Sequence, residues 1–351
     1  MLALMFGVFR VKLPPAPPAI TTEPAARAAS APEAVATEQE STEELNARFE
    51  AIRRLQWLAL GSDDSAPTPI DPADEDIASK VRWSLSTITD KPNYVPRRPL
   101  LLPKLIQAMN NDDVSRRELA RIIASDPALT GSLLRLANSP FYRITSTPIE
   151  SVDRAVALLG IEGMRSLVAA ALMQPVFKVT SGGFVNFGDI TWRHTLSSAA
   201  ASEAHAVMLE SSDPFVAQLL SLMMGIATIV VFRVALDEYQ SHGLPPQPRI
   251  LTTLIDSQAA PVARQIASSW QLSERVDVAL ADQAAPHGVK ISSLGRSVQF
   301  GRFLGALVVL HEHHVVDDEA VKLALNTSGP LAPAYQRIWA RRLTLQSETK
   351  I

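Results

Sequence analysis

The chain has 351 residues, 47% of them hydrophobic and 20% charged, with a formal net charge of -3. That length accommodates two domains of about 150 residues, or one larger domain with tails. The mild negative charge provides no general attraction to phosphate backbones, so nucleic acid is not an expected partner. Cysteine is absent, which excludes disulfides, thiolate metal sites, iron–sulfur clusters and cysteine nucleophiles together.

Residues 1–9 are apolar, but the run is too short to span a bilayer and has no preceding basic residues of the secretory kind. The expectation is a loose or surface-docked terminus on a cytoplasmic protein, with a peripheral membrane anchor as the alternative. Pro14, Pro15, Pro17, Pro18, Pro24 and Pro32 then alternate with alanine, a composition that predicts an extended, flexible tether over residues 1–40. Ser41 and Glu44 have capping-box spacing, and Leu45, Phe49, Ile52, Leu55 and Leu58 follow at helical intervals until Gly61. One amphipathic helix is predicted over residues 41–60. Alone it would be marginal in water, so it should dock on the body or on a partner. Between Gly61 and Asp90 seven acids stand against two bases, with Pro67, Pro69 and Pro72 among them. Residues 61–95 therefore read as a solvated acidic linker.

From residue 96 the texture changes to dense apolar spacing with helical periodicity and almost no strict alternation, which predicts an all-α body. Ser115 and Glu118 repeat the capping-box spacing. Asp126 is placed to cap a helix with Pro127 in its first turn, and Leu129, Leu133 and Leu136 form its apolar stripe as far as Asn138. Gly160 suits a left-handed helix end, with a further helix over Ile161–Met173. The apolar run from Phe215 to Phe232 is punctuated by Gln218, Ser221 and Gly225, and reads as a buried helix rather than a membrane span. The overall expectation is a compact multi-helix bundle over residues 96–290, followed by a C-terminal helical extension over 291–351.

Leu102-Pro103, Glu118-Leu119-Ala120, Asp126-Pro127-Ala128-Leu129, Leu133-Leu134-Arg135-Leu136-Ala137-Asn138-Ser139, Phe141-Tyr142 and Leu158-Leu159-Gly160 occur in this order. Together they resemble the HDOD family, a helical module of bacterial signalling proteins related to the HD-type metal phosphohydrolases. Trp192-Arg193-His194 and Trp270-Gln271-Leu272 resemble its later helices. The resemblance covers residues 96–283 and implies a setting in signal transduction, with a protein partner.

An HD-type hydrolase needs histidine and aspartate ligands converging from separate helices to hold a metal and activate water. By the resemblance, His194 stands at the first ligand position. The His-Asp pair would fall within Ser221–Ile226, which reads Ser-Leu-Met-Met-Gly-Ile; the later positions fall near Gln258, Ala259, Asp282 and Gln283. One histidine with one distant aspartate cannot hold a catalytic centre, so no catalytic residue, metal or cofactor is assigned, and His194 is expected as a half-buried residue donating to a carbonyl. The competing reading is a phosphohydrolase or phosphodiesterase that uses His194 with Asp282.

Three features remain as weak binding candidates. Asn138 either bonds the backbone of its own turn or offers an amide to a ligand. Arg116 and Arg117 belong to an early basic group with Arg97, Arg98, Lys104 and Arg121, interleaved with Asp112, Asp113 and Glu118. This group reads as a solvated face; the alternative is a site for a nucleotide messenger bound without turnover. His311 and His314 would share a helix face, yet without a third converging ligand they read as a solvated helix end. Ser181-Gly182-Gly183 lacks the lysine of a phosphate loop and reads as a turn.

Overall fold

The structure, a computed structural model, describes residues 42–62, 71–91, 93–95, 116–139, 142–143, 145, 147–173, 184–286 and 288–348. The tether over 1–40, Ser41, the basic residues Arg97, Arg98 and Lys104 and the turn at 181–183 lie outside these. So do the side chains of Arg116 and Arg117. Every regular element among the described residues is helical.

The amphipathic helix α1 spans Thr42–Leu60 and buries Ala51, Leu55, Ala59 and Leu60 along one face. The segment read as a solvated acidic linker carries a second helix, α2, over Pro72–Ser86. Acid count misleads there because the acids cluster at the helix start, where they favour the positive end of the helix dipole. The Asp71 side chain accepts from Ala73 N at 2.9 Å, and the Asp74 carboxylate accepts in return from Asp71 N. Behind that cap, Ile77, Ala78, Val81 and Leu85 recur at helical spacing and are buried. The linker reading is corrected: α2 packs on the body, where the buried Tyr239 hydroxyl donates to Asp74 at 3.0 Å.

Helices α3 (Arg116–Ala124), α4 (Pro127–Ala137) and α5 (Val152–Met173) form the next group. Asp126 caps α4 as its position suggests, accepting from Leu129 N at 3.0 Å. Gly160, with φ of 71°, kinks α5 where the sequence places a helix end. Asn138 is a clip between α4 and the chain entering α5. Its amide donates to Leu134 O at 2.9 Å and Ile149 O at 2.8 Å, and its Oδ1 accepts from Ile149 N at 2.7 Å. We expect Asn138→Ala to lower stability by about 2–3 kcal/mol, because Ile149 loses its partners along with the side chain. An unchanged urea-unfolding midpoint would contradict this role.

The centre of the molecule is built from α6 (Phe187–His205, continuing as a wide turn to Glu210), α7 (Pro214–Ser241), α8 (Pro248–Ser269), α9 (Glu274–Ala281) and α10 (Ser293–Glu312). Helix α7 is long and apolar enough to cross a membrane, yet its apolar stretch is 94% buried within the fold. Helices α6 and α10 pack through small residues: a Cβ at Gly301 would lie 2.5 Å from Ser198 O, and one at Gly305 would lie 2.7 Å from Ser198 N. Two helices approach this closely only where side chains are missing at the crossing.

Residues 291–351 are therefore no extension. Helix α10 supplies Phe300, Phe303 and Leu304 to the same core as α6 and α7, and residues 40–351 form one compact unit. The chain closes with α11 (Asp318–Asn326) and α12 (Ala332–Glu348).

Candidate functional site

His194 lies on α6 between Thr191 and Thr195, facing a crevice of about 40 Å³ shared by α1, α6, α7, α8 and α10. Its Nε2 sits 3.0 Å from Arg302 O; a carbonyl can only accept, so this nitrogen carries the proton. Burial pushes the ring pKa down to about 4, with the neighbouring Arg302 charge adding to the effect and the bond to its carbonyl opposing it. The imidazole is neutral near pH 7.

The helices around His194 determine what the crevice can do. Helix α7 presents Ser221, Met224, Gly225 and Thr228, α8 presents Ile255, and α1 closes the opening with Ile52, Leu55, Gln56 and Ala59. The Ser221 hydroxyl is bonded to Ser202 Oγ at 2.7 Å, and the Thr228 hydroxyl donates to Met224 O at 3.0 Å. Gly225 lets α7 approach α6: a Cβ there would fall 2.9 Å from Thr195 Cβ. Helix α1 is fixed over the crevice by Gln56, whose amide donates to Asp256 Oδ1 at 2.6 Å. Burial raises the Asp256 pKa, against the opposing influence of this bond and of Arg302.

This donor set does not fit a metal centre. The facing helix contributes hydroxyls, a thioether and a glycine rather than carboxylates and imidazoles, and hard divalent ions need the latter. Among the described residues, no three histidines and carboxylates converge. Nor does the volume admit a substrate: about 40 Å³ is far below the roughly 300–1,000 Å³ of a small-molecule site.

The remaining sequence candidates are placed elsewhere. Asp282 does not line the crevice; its Oδ2 accepts from Ser292 N at 2.9 Å and Ser292 Oγ at 2.5 Å, bracing the start of α10. Asn138 is committed to its own loop. Helix α10 ends at Glu312 and His314 takes a left-handed φ of 57°, so His311 and His314 do not share a helix face as their spacing suggests. His311 Nε2 instead lies 3.1 Å from Asp318 Oδ1. The structure brings His194 together with Arg302 and Gln56, and α1 next to Asp256, none of which the sequence reading singled out. A signal for Arg302 was available: it is the one charged residue between Ser297 and Leu310.

Residues 95–286 match the HDOD domain family. No curated protein matches the chain. Among solved structures, an HDOD domain protein of unknown function from Geobacter sulfurreducens superposes with a TM-score of 0.51 at 17% identity, over 78% of this chain and 97% of that one. A candidate metal-dependent phosphohydrolase from Shewanella amazonensis SB2B gives a TM-score of 0.50 at 17% identity, over 79% of this chain and 99% of that one. A second candidate phosphohydrolase from the same organism gives a TM-score of 0.50 at 19% identity, over 77% and 97%. At these identities the likeness is one of fold.

Proposed function

The chain belongs to the HDOD domain family, and from that membership we propose that it is a non-catalytic regulatory module of bacterial signal transduction, working in the cytoplasm by binding protein partners. The observation that carries this reading is the donor set around His194: a neutral imidazole bonded to a carbonyl, faced by Ser221, Met224 and Gly225 and covered by α1. Metal-assisted chemistry on a phosphoester needs an open cleft that holds the ion and admits the substrate, and a packed crevice of this kind has the character of a core instead. Function is then carried by the outer surface of the bundle, where the shape of a helical body can select a partner.

The competing phosphohydrolase reading is tested directly. The full chain with added manganese, assayed on bis(para-nitrophenyl) phosphate, is expected to release no more nitrophenol than manganese alone. Release that the His194→Ala variant abolishes would overturn the non-catalytic reading. Affinity capture from a bacterial lysate gives the complementary result: a stoichiometric protein partner is expected, and recovery of background alone counts against partner binding.

A further inference from the structure

Beside the crevice, on its α1–α10 side, lies a cavity of about 680 Å³, within the roughly 300–1,000 Å³ range of small-molecule sites. Its lining includes Arg302 and Phe303 of α10, Asp256 of α8, Gln283 after α9, and Arg48 and Phe49 of α1.

One charged group of this lining stands without a partner. Among the described residues, the Arg302 guanidinium donates no hydrogen bond and closes no ion pair; the carboxylate whose field reaches it is Asp256, and burial lowers its pKa. Arg302 is half-buried, and its planar fork of donors matches an oxyanion held through two parallel bonds. Gln283 serves the fold instead: its amide nitrogen donates to Ala279 O at 2.9 Å and Gly295 O at 3.1 Å, and its Oε1 is buried. Apolar surface is offered by Phe49, 59% exposed on a helix whose other apolar residues are largely covered.

We propose that this cavity binds a small organic carboxylate, its head group paired with Arg302 and its apolar body against the exposed ring of Phe49. A single negative charge fits better than two, because the Asp256 carboxylate already shares the field of Arg302 and would repel a dianion. The other positive charges of the lining, Arg48 and Arg53, are held by Glu44 at 2.8 Å and by Glu50 at 2.7 Å and shape the rim. Because α1 and α10 both line the site, an occupant bridges them and holds α1 in place, so binding and the docking of α1 are linked. The site does not depend on the partner-binding reading and stands or falls separately from it.

Calorimetry on the full chain with meta-hydroxybenzoate tests the assignment, with meta-hydroxybenzyl alcohol as the neutral analogue and meta-hydroxyphenyl phosphate as the dianion. The carboxylate is expected to bind at least about tenfold more tightly than either analogue, and Arg302→Gln to weaken it by about tenfold or more. That substitution spares the His194 bond, which uses the Arg302 carbonyl. Phe49→Ala, at an exposed position, is expected to weaken binding severalfold at an unchanged unfolding midpoint, which keeps the test independent of any folding defect at Arg302. No heat at about 10 mM carboxylate, weaker than any millimolar site, would overturn the proposal. So would equal binding of the alcohol, tighter binding of the phosphate, or undiminished binding by both variants.

Discussion

Gly301→Ala is expected to lower stability by about 3 kcal/mol or more, although alanine is the better helix former. Within α10 the added methyl would stand 2.5 Å from Ser198 O and 2.9 Å from Ser202 N, both backbone atoms of α6. A flexible side chain could turn away; a helix backbone cannot, so α6 and α10 must separate along their crossing. Separation loosens the packing of Phe300 and Phe303, both fully buried, and overpacked cores lose about 1–3 kcal/mol before such secondary losses. Gly131→Ala is the control. It lies in α4 with nothing within 4 Å of the added Cβ, so the same exchange should add about 0.5–1 kcal/mol through helix propensity and a less free unfolded chain. Urea unfolding at constant m-value reads both. If the two alanines move the midpoint in the same direction, close approach is not what Gly301 provides.

Helical periodicity, the cap at Asp126 and the break at Gly160 are local signals, and local signals survive in a single sequence. The all-α class and the helices of the bundle were legible for that reason. Two tertiary facts were not. In α2 the burial of Ile77, Val81 and Leu85 was masked by the acids of the capped first turn, because composition averages over faces that the helix separates. At residue 291 the sequence shows only a helix start; that α10 is central follows from Gly301 and Gly305 meeting Ser198 and Ser202 from a helix a hundred residues earlier. The site divides in the same way. His194 and the substituted ligand positions on α7 could be found by register against a family pattern, whereas Arg302, Gln56 and Asp256 come together from α10, α1 and α8 only when the chain folds. A lone arginine in an apolar run was the one trace of that convergence.

Acid is expected to destabilise this protein through two rings, the half-buried His194 and the buried His205. Both have pKa values pushed down to about 4, mainly by burial, from an ordinary 6.5. His205 stacks on Phe300 at 4.6 Å between ring centres. Its Nδ1 lies 3.1 Å from Ser297 Oγ, whose own proton is donated to Ser293 O. Nearby Glu210 favours the charged ring, while Arg48 and Arg296 oppose it. In both cases the folded state binds a proton less readily than the unfolded chain, so between about pH 6.5 and 4 the unfolded state carries more protons and stability rises with pH. The contribution is fully present above about pH 6.5 and is lost as pH falls through about 4, amounting to about 3 kcal/mol for each ring. His194→Gln isolates one ring, since its amide can still donate to Arg302 O but does not titrate. Unfolding free energies of the variant and the wild type, measured from pH 7.5 to about 4.5, should converge as pH falls. The difference between the curves cancels the carboxylates common to both proteins. Curves that stay parallel across this interval would mean that the ring accepts its proton without leaving its bond to α10, and that the crevice is open to water.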